Sequence, residues 1–128
     1  MALYAQTSGI HSTNSATFVP IPGLNFTIPQ GVGTSALIIL NLPNPFASGA
    51  NFPGGTFGIS VNDTISPVQA VFTYSEPNPV SPGRMPTTLI VSVPLSQTGT
   101  QTVQAMWFGV RGSTVIIDTP ATLSATIN

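Results

Sequence analysis

The stretch Ser35-Ala36-Leu37-Ile38-Ile39-Leu40-Asn41-Leu42 indicates what kind of fold this chain adopts. Short aliphatic runs of this kind, bounded by turn-forming residues, predict strands rather than helices. The centre of the run, Leu37 to Leu40, is apolar at consecutive positions, which predicts a strand covered by packed layers on both of its faces. The run Val115-Ile116-Ile117 has the same property. In a chain of 128 residues, one of the covering layers is expected to be another subunit.

Similar short segments follow one another along the whole chain. Its 13 prolines and 12 glycines separate stretches rich in Val, Ile, Thr and Phe, which is typical of all-β proteins. The pattern predicts ten strands: Leu3–Ile10, Thr17–Pro20, Leu24–Ile28, Ser35–Leu42, Thr56–Val61, Val68–Tyr74, Thr87–Pro94, Thr102–Val110, Thr114–Asp118 and Thr122–Ile127. About ten short strands in one small domain predict a two-sheet sandwich or jelly roll, with residues 1–128 as a single domain.

Charged side chains are scarce. They are Asp63, Glu76, Arg84, Arg111 and Asp118. Two cations cannot neutralise the several phosphates that a nucleic-acid-binding protein contacts, and no apolar run is long enough to cross a membrane. We therefore expect neither nucleic-acid binding nor membrane insertion. A charge-poor surface also lowers the barrier to self-association, which favours a homo-oligomer.

The side chains that usually carry catalysis or bind metals are few. His11 could act as a base with Asp63 or Asp118, but no nucleophile motif accompanies it, and we interpret it as a solvated loop residue. The three acids are scattered, so they predict neither a carboxylate pair for glycoside hydrolysis nor a calcium cage. Because there is no cysteine, no thiolate metal site is possible. We expect a protein that is not an enzyme and holds no metal or cofactor.

The residues that remain are suited to binding. Arg84 and Arg111 both lie in turn-like sequences. A guanidinium group is a planar fork of donors that fits paired oxygens on one ligand. This property favours a neutral polyhydroxylated ligand, a carboxylate or a phosphate, bound at a site that the two arginines share. The alternative is that each arginine ties down a loop by bonding to carbonyl groups.

Three further side chains are candidates for supporting roles. Asp118 follows Arg111 by seven residues and could orient one of the arginines through a bidentate pair. Tyr74 ends a predicted strand, where its hydroxyl can reach a ligand. Trp107 lies on the predicted strand that leads to Arg111, and we interpret it as packing rather than as a platform for a sugar.

Four short blocks of the sequence resemble a known lectin family. They are Asn51-Phe52-Pro53-Gly54, Phe72-Thr73-Tyr74-Ser75, Gly83-Arg84-Met85-Pro86 and Val110-Arg111-Gly112-Ser113. The blocks recur in order at close to the family spacing, and the likeness covers nearly the whole chain. The sequence resembles the tumour-necrosis-factor-like, fucose-binding domain at the N-terminus of a bacterial two-domain superlectin.

This resemblance implies a jelly roll that assembles as a compact homotrimer. It further implies that fucosylated oligosaccharides of host type bind without calcium in clefts between neighbouring protomers. Arg84 and Arg111 align with the two arginines that grip fucose in the family. Other site residues of the family align with Thr73, Tyr74 and Ser81, and a supporting acid aligns with Asp118.

Three positions depart from the family pattern. Phe46 and Thr56 stand where the family has tyrosines, and Pro82 stands where it has a threonine. A site that bonds a hydroxyl rejects other ligands strongly, whereas apolar contacts discriminate by only about 1–3 kcal/mol. We therefore expect Phe46 and Pro82, at the rim of the site, to discriminate less strictly between ligands with and without a given hydroxyl group.

A second function is compatible with the same resemblance. The chain could be a structural or adhesive jelly-roll trimer without a sugar site, in which the arginines pair with Asp118 or with carbonyl groups across the interface. Met1 to Gln6 lack a positive region and a long apolar segment, so no classical signal peptide is expected. A binder of surface glycans is nevertheless expected to act at or outside the cell surface.

Overall fold

The structure, a computed structural model, describes all 128 residues and contains twelve strands. In chain order these are β1 (Ala2–Gln6), β2 (His11–Thr13), β3 (Val19–Ile28), β4 (Ser35–Leu42), β5 (Phe46–Ser48), β6 (Gly54–Val61), β7 (Thr64–Ile65), β8 (Ala70–Thr73), β9 (Thr87–Pro94), β10 (Gln101–Val110), β11 (Thr114–Ile117) and β12 (Thr122–Ile127). No helix of the structure could span a membrane.

The strands form three antiparallel sheets. One has four strands in the order β1-β12-β4-β9, and a second has the order β3-β10-β6-β7, with β8 also paired to β6. The third, β2-β11-β5, lies beside β6 and β10. Strands that are distant in the chain, such as β4 and β12, are neighbours, which is typical of jelly rolls. The all-β jelly-roll sandwich predicted from the sequence is therefore confirmed.

The core lies between the two larger sheets, and strand β4 shows how the sequence builds it. Its alternate residues Ile38 and Leu40 are fully buried, because successive side chains of a strand point to opposite faces. On the other face Leu37 is 39% exposed. Trp107, interpreted from the sequence as packing, is buried in the core. The run Leu37 to Leu40 thus has one face in the core and one face that this single chain leaves uncovered.

Three strands have the predicted bounds: Ser35–Leu42, Thr87–Pro94 and Thr122–Ile127. The predicted strand Leu3–Ile10 already ends at Gln6. Two predicted strands, Thr17–Pro20 and Leu24–Ile28, belong to the single strand β3. Gly23, with φ of 83°, lies within β3, and the pairing with β10 shifts register nearby. A glycine at positive φ next to a register shift is typical of a β-bulge, which bends a strand without ending it.

Sequence patterns missed the three shortest strands: β2, β5 and β7, each of two or three residues. The interpretation of His11 as a loop residue is therefore wrong. His11 lies in β2 opposite Ile117, and its Nε2 is 2.7 Å from the carbonyl oxygen of Ser8. It forms no ion pair with Asp63 or Asp118.

Candidate functional site

Arg84 is held by three neighbours. Its Nη1 and Nη2 donate to the two carboxylate oxygens of Asp118 at 2.8 and 2.9 Å. Nη1 also donates to the carbonyl oxygen of Asn44 at 3.2 Å. The guanidinium carbon lies 4.1 Å from the centre of the Phe46 ring, within the range of a cation–π contact. We call these four residues the Arg84 cluster.

Strand pairing brings the members of the Arg84 cluster together. Asp118 directly follows β11, and Phe46 begins β5, which pairs with β11 so that Phe46 lies opposite Ile116. Residues two apart on a strand point the same way, so Asp118 projects on the side of Ile116 and Phe46. Asp118 therefore pairs with Arg84 and not with Arg111, the arginine seven residues before it in the chain. The bidentate pair expected for Asp118 does form.

The loop that carries Arg84 is fastened on both sides. The Tyr74 hydroxyl donates to the carbonyl oxygen of Gly83 and accepts from the amide of Ala47. One residue beyond Arg84, the Met85 amide donates to the carbonyl oxygen of Pro45 at 2.8 Å. The Tyr74 hydroxyl hydrogen is thus engaged within the chain. Its role in this structure is to position the backbone next to Arg84.

The ion pair of the Arg84 cluster is expected to break only in acid, and the Tyr74 hydrogen bond beside the cluster only in base. The hydrogen bonds from Arg84 lower the pKa of Asp118 below its usual value of about 3.9. The carboxylate therefore stays ionised until the pH falls through that lowered pKa, where its stabilising contribution is lost. Burial raises the pKa of Tyr74, so its bond to Gly83 persists until the pH rises above about 10. NMR titration of the Asp118 carboxyl and Tyr74 ring carbons measures both limits, and a transition near pH 7 would contradict them.

Arg111 lies in a strained turn. With φ of 53° at Arg111 and 75° at Gly112, and a bond from the Ser113 amide to the Val110 carbonyl at 3.1 Å, residues 110–113 form a turn of type I′. We call this segment the Arg111 turn. Its first central position usually holds Asn, Asp or Gly, because a left-handed backbone costs other residues about 1–2 kcal/mol. Strain kept by an arginine at a surface turn suggests a functional reason for the side chain.

The guanidinium of Arg111 fastens a second strained residue. Its Nε donates to the carbonyl oxygen of Asn51 at 3.1 Å, and its Nη2 donates to that of Phe52. Phe52 also has a positive φ, of 46°, and its ring centre lies 6.0 Å from the guanidinium carbon. Arg111 therefore ties down the loop before β6, as one of the two interpretations of the sequence proposed.

Ser113 supports this end of the molecule, and sequence reasoning missed it. Its buried hydroxyl lies 2.7 and 2.6 Å from the carbonyl oxygens of Gly54 and Val110, and it accepts a bond from the Gly54 amide. These contacts fasten the Arg111 turn to the start of β6. The sequence signal that could have indicated this role is a serine directly after a turn glycine, as in Gly112-Ser113.

Each arginine keeps one complete two-donor edge free. A guanidinium group has five N–H donors in a fixed plane. Arg84 uses Nη1 twice and Nη2 once, which leaves the edge formed by Nε and Nη2. Arg111 uses Nε and Nη2 once each, which leaves the edge formed by Nη1 and Nη2. Both groups are therefore oriented by the protein and still able to grip a pair of oxygens.

Within one chain the two arginines do not meet. No hydrogen bond or ring contact joins the Arg84 cluster to the Arg111 turn. Strand β11 separates Arg111 from Asp118, and its four residues span at least about 10 Å. Within one chain the two free edges therefore belong to separate networks of contacts.

The other predicted site residues are divided between the surface and the interior. Thr73 ends β8, and Ser81 lies in the loop before Arg84; both are exposed. Pro82, in the same loop, is half-buried. Thr56 lies in β6 between Val71 and Phe108 and is only 6% exposed. In a single chain Thr56 is not open to a ligand.

A cavity of about 460 Å³ lies elsewhere, between β9 and the segment 64–68, and no predicted site residue lines it. No group of three or more His, Asp or Glu side chains is placed to hold a metal ion. Three of the five charged side chains, Arg84, Arg111 and Asp118, lie in the Arg84 cluster or the Arg111 turn.

Residues 3–126 match the family described as Bc2l-C, N-terminal domain. The chain belongs to this family. The match covers almost the whole chain and confirms the family that the four sequence blocks predicted. The Arg84 cluster and the Arg111 turn both lie within residues 3–126, which match the Bc2l-C N-terminal domain family.

Comparison with solved structures gives matches at low sequence identity, of which the first shows a shared fold. Latent PorU of Porphyromonas gingivalis is 14% identical, with a TM-score of 0.55 over 97% of this chain, but the chain spans only 12% of that protein. A family 35 carbohydrate binding module of Clostridium thermocellum is 10% identical, with a TM-score of 0.45, and the match covers 100% of this chain and 99% of the module. The C-terminal domain of EclA, described as a sugar-binding protein, is 6% identical, with a TM-score of 0.48 and coverages of 91% and 78%. No curated protein matches the chain in sequence.

Proposed function

We propose that this chain is a calcium-independent lectin that binds fucosylated glycans in clefts between the protomers of a homotrimer. Membership of the Bc2l-C N-terminal domain family supports a carbohydrate-binding role. The observation that carries the proposal is the free edge on each of the two arginines, which are the chain's only basic side chains. A lectin of this kind acts at or outside the cell surface.

The free edge of Arg84 suits a neutral ligand. Because Asp118 already balances the positive charge of Arg84 at 2.8 Å, a carboxylate or phosphate on the ligand would meet a pair with no net charge. Two neighbouring hydroxyl groups of a sugar accept hydrogen bonds from the Nε–Nη2 edge without needing a net charge. This argument favours a neutral sugar over the anionic ligands that the sequence left open.

The trimer is supported by the separate placement of the two arginines and by an uncharged sheet face. Each arginine belongs to its own network of contacts within one protomer, and in the proposed trimer one ligand contacts both where Arg84 of one copy approaches Arg111 of the next. The outer face of the four-stranded sheet is free of charged residues and exposes Tyr4, Leu37 and Ile90. An uncharged face with exposed apolar side chains is suited to an interface between copies.

The departures from the family pattern are expected to change which sugars are preferred rather than abolish binding. Phe46 lies against the guanidinium of Arg84, so in this chain the ring supports the arginine instead of offering a hydroxyl to the ligand. One monosaccharide buries little area and a single cleft would bind weakly. Three clefts in one trimer would raise the effective affinity for a multivalent surface by about 10²–10⁴.

A structural or adhesive trimer without a sugar site is the second candidate. The observation that favours it is that both arginines already bond to Asp118 or to backbone carbonyls within the chain. In that case their function would be to hold the loops, and their free edges would face solvent or another protomer.

A glycan array tests the leading proposal. The purified protein is expected to bind fucosylated glycans equally well with and without a chelator of divalent cations, and its mass in solution is expected to be three times 13.2 kDa. Binding to other neutral sugars alone would support a lectin whose ligand is not fucose. A folded trimer that binds no glycan on the array would contradict the lectin proposal and favour the structural trimer.

A further inference from the structure

Two strained residues bond to each other beside the end of β6. Arg111 and Phe52 have positive φ angles of 53° and 46°, and the guanidinium of Arg111 donates to the carbonyl oxygen of Phe52. A left-handed backbone in residues other than glycine persists only where the surrounding structure holds it in place. The turn that carries the guanidinium and the loop that receives it therefore need a contact that fixes one relative to the other.

The relative position of turn and loop is set where two strands end. Val110 and Gly54 lie opposite each other as the last pair between β10 and β6. Val110 directly precedes Arg111, and Gly54 follows Phe52 by two residues. Where the guanidinium lies relative to its acceptor oxygens consequently depends on how firmly the backbone at Val110 is held to the backbone at Gly54.

The Ser113 hydroxyl contacts the backbone of both residues of this last pair. Its Oγ lies 2.6 Å from the carbonyl oxygen of Val110 and 2.7 Å from that of Gly54, and it accepts a bond from the Gly54 amide at 3.2 Å. A hydroxyl has a single hydrogen, so the two carbonyl oxygens share it in a three-centre bond. One hydroxyl thus links the end of β10 to the start of β6.

Ser113 is itself fixed in place. It is 2% exposed, and its amide donates to the carbonyl oxygen of Val110 at 3.1 Å. Gly49 packs so closely against it that a Cβ at Gly49 would lie 3.2 Å from the Ser113 Cβ. Loss of the hydroxyl would leave buried backbone groups of Val110 and Gly54 without this partner, and the strand ends would be free to separate.

We propose that Ser113 is the positioning residue for Arg111. Its hydroxyl fixes the Arg111 turn relative to the loop of Asn51 and Phe52, and so determines the direction in which the free Nη1–Nη2 edge of Arg111 points. Ser113 does not touch the ligand. The effect on sugar affinity rests on the proposed lectin function, whereas the orientation of the guanidinium can be measured without any sugar.

The side chains of the two arginines give separate NMR signals for this measurement. Arg111 Nε donates to the carbonyl oxygen of Asn51 at 3.1 Å, whereas Arg84 bonds through Nη1 and Nη2 only. In the ¹⁵N-labelled parent, the Nε–H of Arg111 is expected to exchange with solvent more slowly than that of Arg84. Ser113→Ala is expected to speed the Arg111 exchange at least about tenfold, as the loss of one hydrogen bond predicts, and to leave Arg84 unchanged.

Thr7 provides a matched control, because it is another buried hydroxyl bonded to the backbone. It is also 2% exposed, and its Oγ1 accepts from the Ala121 amide at 2.9 Å. Thr7→Val is expected to lower the melting temperature, as Ser113→Ala does, without changing the Arg111 exchange. Ser113→Cys keeps the site filled but is a weaker donor. Its Arg111 exchange is expected to fall between those of the parent and the alanine variant, and it serves if Ser113→Ala does not fold.

Titration with a fucosylated oligosaccharide completes the test. Ser113→Ala is expected to bind about tenfold more weakly than the parent, since the Arg111 edge is then less well oriented, and Thr7→Val is expected to bind as the parent does. Parent-like Arg111 exchange in both Ser113 variants overturns the proposal, and so does equal acceleration in Thr7→Val. A parent that binds no glycan contradicts the lectin function, and the exchange rates alone then decide whether Ser113 positions Arg111.

Discussion

An Arg84→Ala variant is expected to bind fucosylated glycans at least about 100-fold more weakly than the parent chain. The Nε–Nη2 edge of Arg84 is oriented by Asp118 and Asn44, so a ligand gains two hydrogen bonds from a charged group without having to order it. Such bonds contribute about 1.5–3 kcal/mol each, and a loss of about 2.7 kcal/mol is a factor of 100. Isothermal titration with a fucosylated oligosaccharide measures the loss.

Two further variants separate the shape of Arg84 from its charge. Arg84→Lys keeps the charge but not the planar fork, and is expected to recover little of the affinity. Asp118→Asn keeps the arginine and the Phe46 ring beneath it while removing the carboxylate that fixes the group. It is expected to weaken binding about tenfold, because the free edge is then less well oriented.

The mass of the assembly distinguishes the two candidate functions. If the chain is a lectin, Arg84→Ala stays a trimer and loses only the sugar. If it is a structural trimer, the same change loosens the assembly while no glycan binding is lost, because none existed. Analytical ultracentrifugation of the parent and the variant separates these results. Full glycan binding by a trimeric Arg84→Ala protein would remove Arg84 from the site.

The sandwich was predictable because its long strands carry their own pattern. Ser35–Leu42 and Thr87–Pro94 are bounded by turn residues and fill the core from one face. Strands β2, β5 and β7 were not predictable because two or three residues hold no periodicity and pair only because their partners are in place. His11 was misplaced for that reason, since its strand exists through pairing with β11.

The candidate site could be predicted only in part. The two arginines were visible because the chain has no other basic residue. Which of them Asp118 would hold depended on the pairing of β11 with β5, a long-range contact that local sequence does not contain. The strain at Arg111 was equally invisible, because a positive φ belongs to the folded turn and not to the residue type.

That strain leads to a second large effect, on Arg111. Arg111→Ala and Arg111→Gly both remove the Nη1–Nη2 edge and the bonds to Asn51 and Phe52. Both variants are therefore expected to lose glycan binding at least about 100-fold, for the reason given for Arg84. They differ in backbone freedom: glycine adopts a φ of 53° without the cost that alanine has, but it also loses more conformational entropy on folding, which offsets part of that gain. Titration with the same oligosaccharide tests the common loss.

The difference between these two variants isolates the strain in the Arg111 turn. Arg111→Gly is expected to be about 1 kcal/mol more stable than Arg111→Ala, which corresponds to a melting temperature about 3–5 °C higher in a domain of this size. If the turn is relaxed in the parent, the two variants will melt together and the backbone conformation at Arg111 needs no functional reason. If the glycine variant is the more stable and neither variant binds the oligosaccharide, a non-glycine residue at position 111 costs stability. Ligand binding by the arginine side chain is then the reason that this cost is retained.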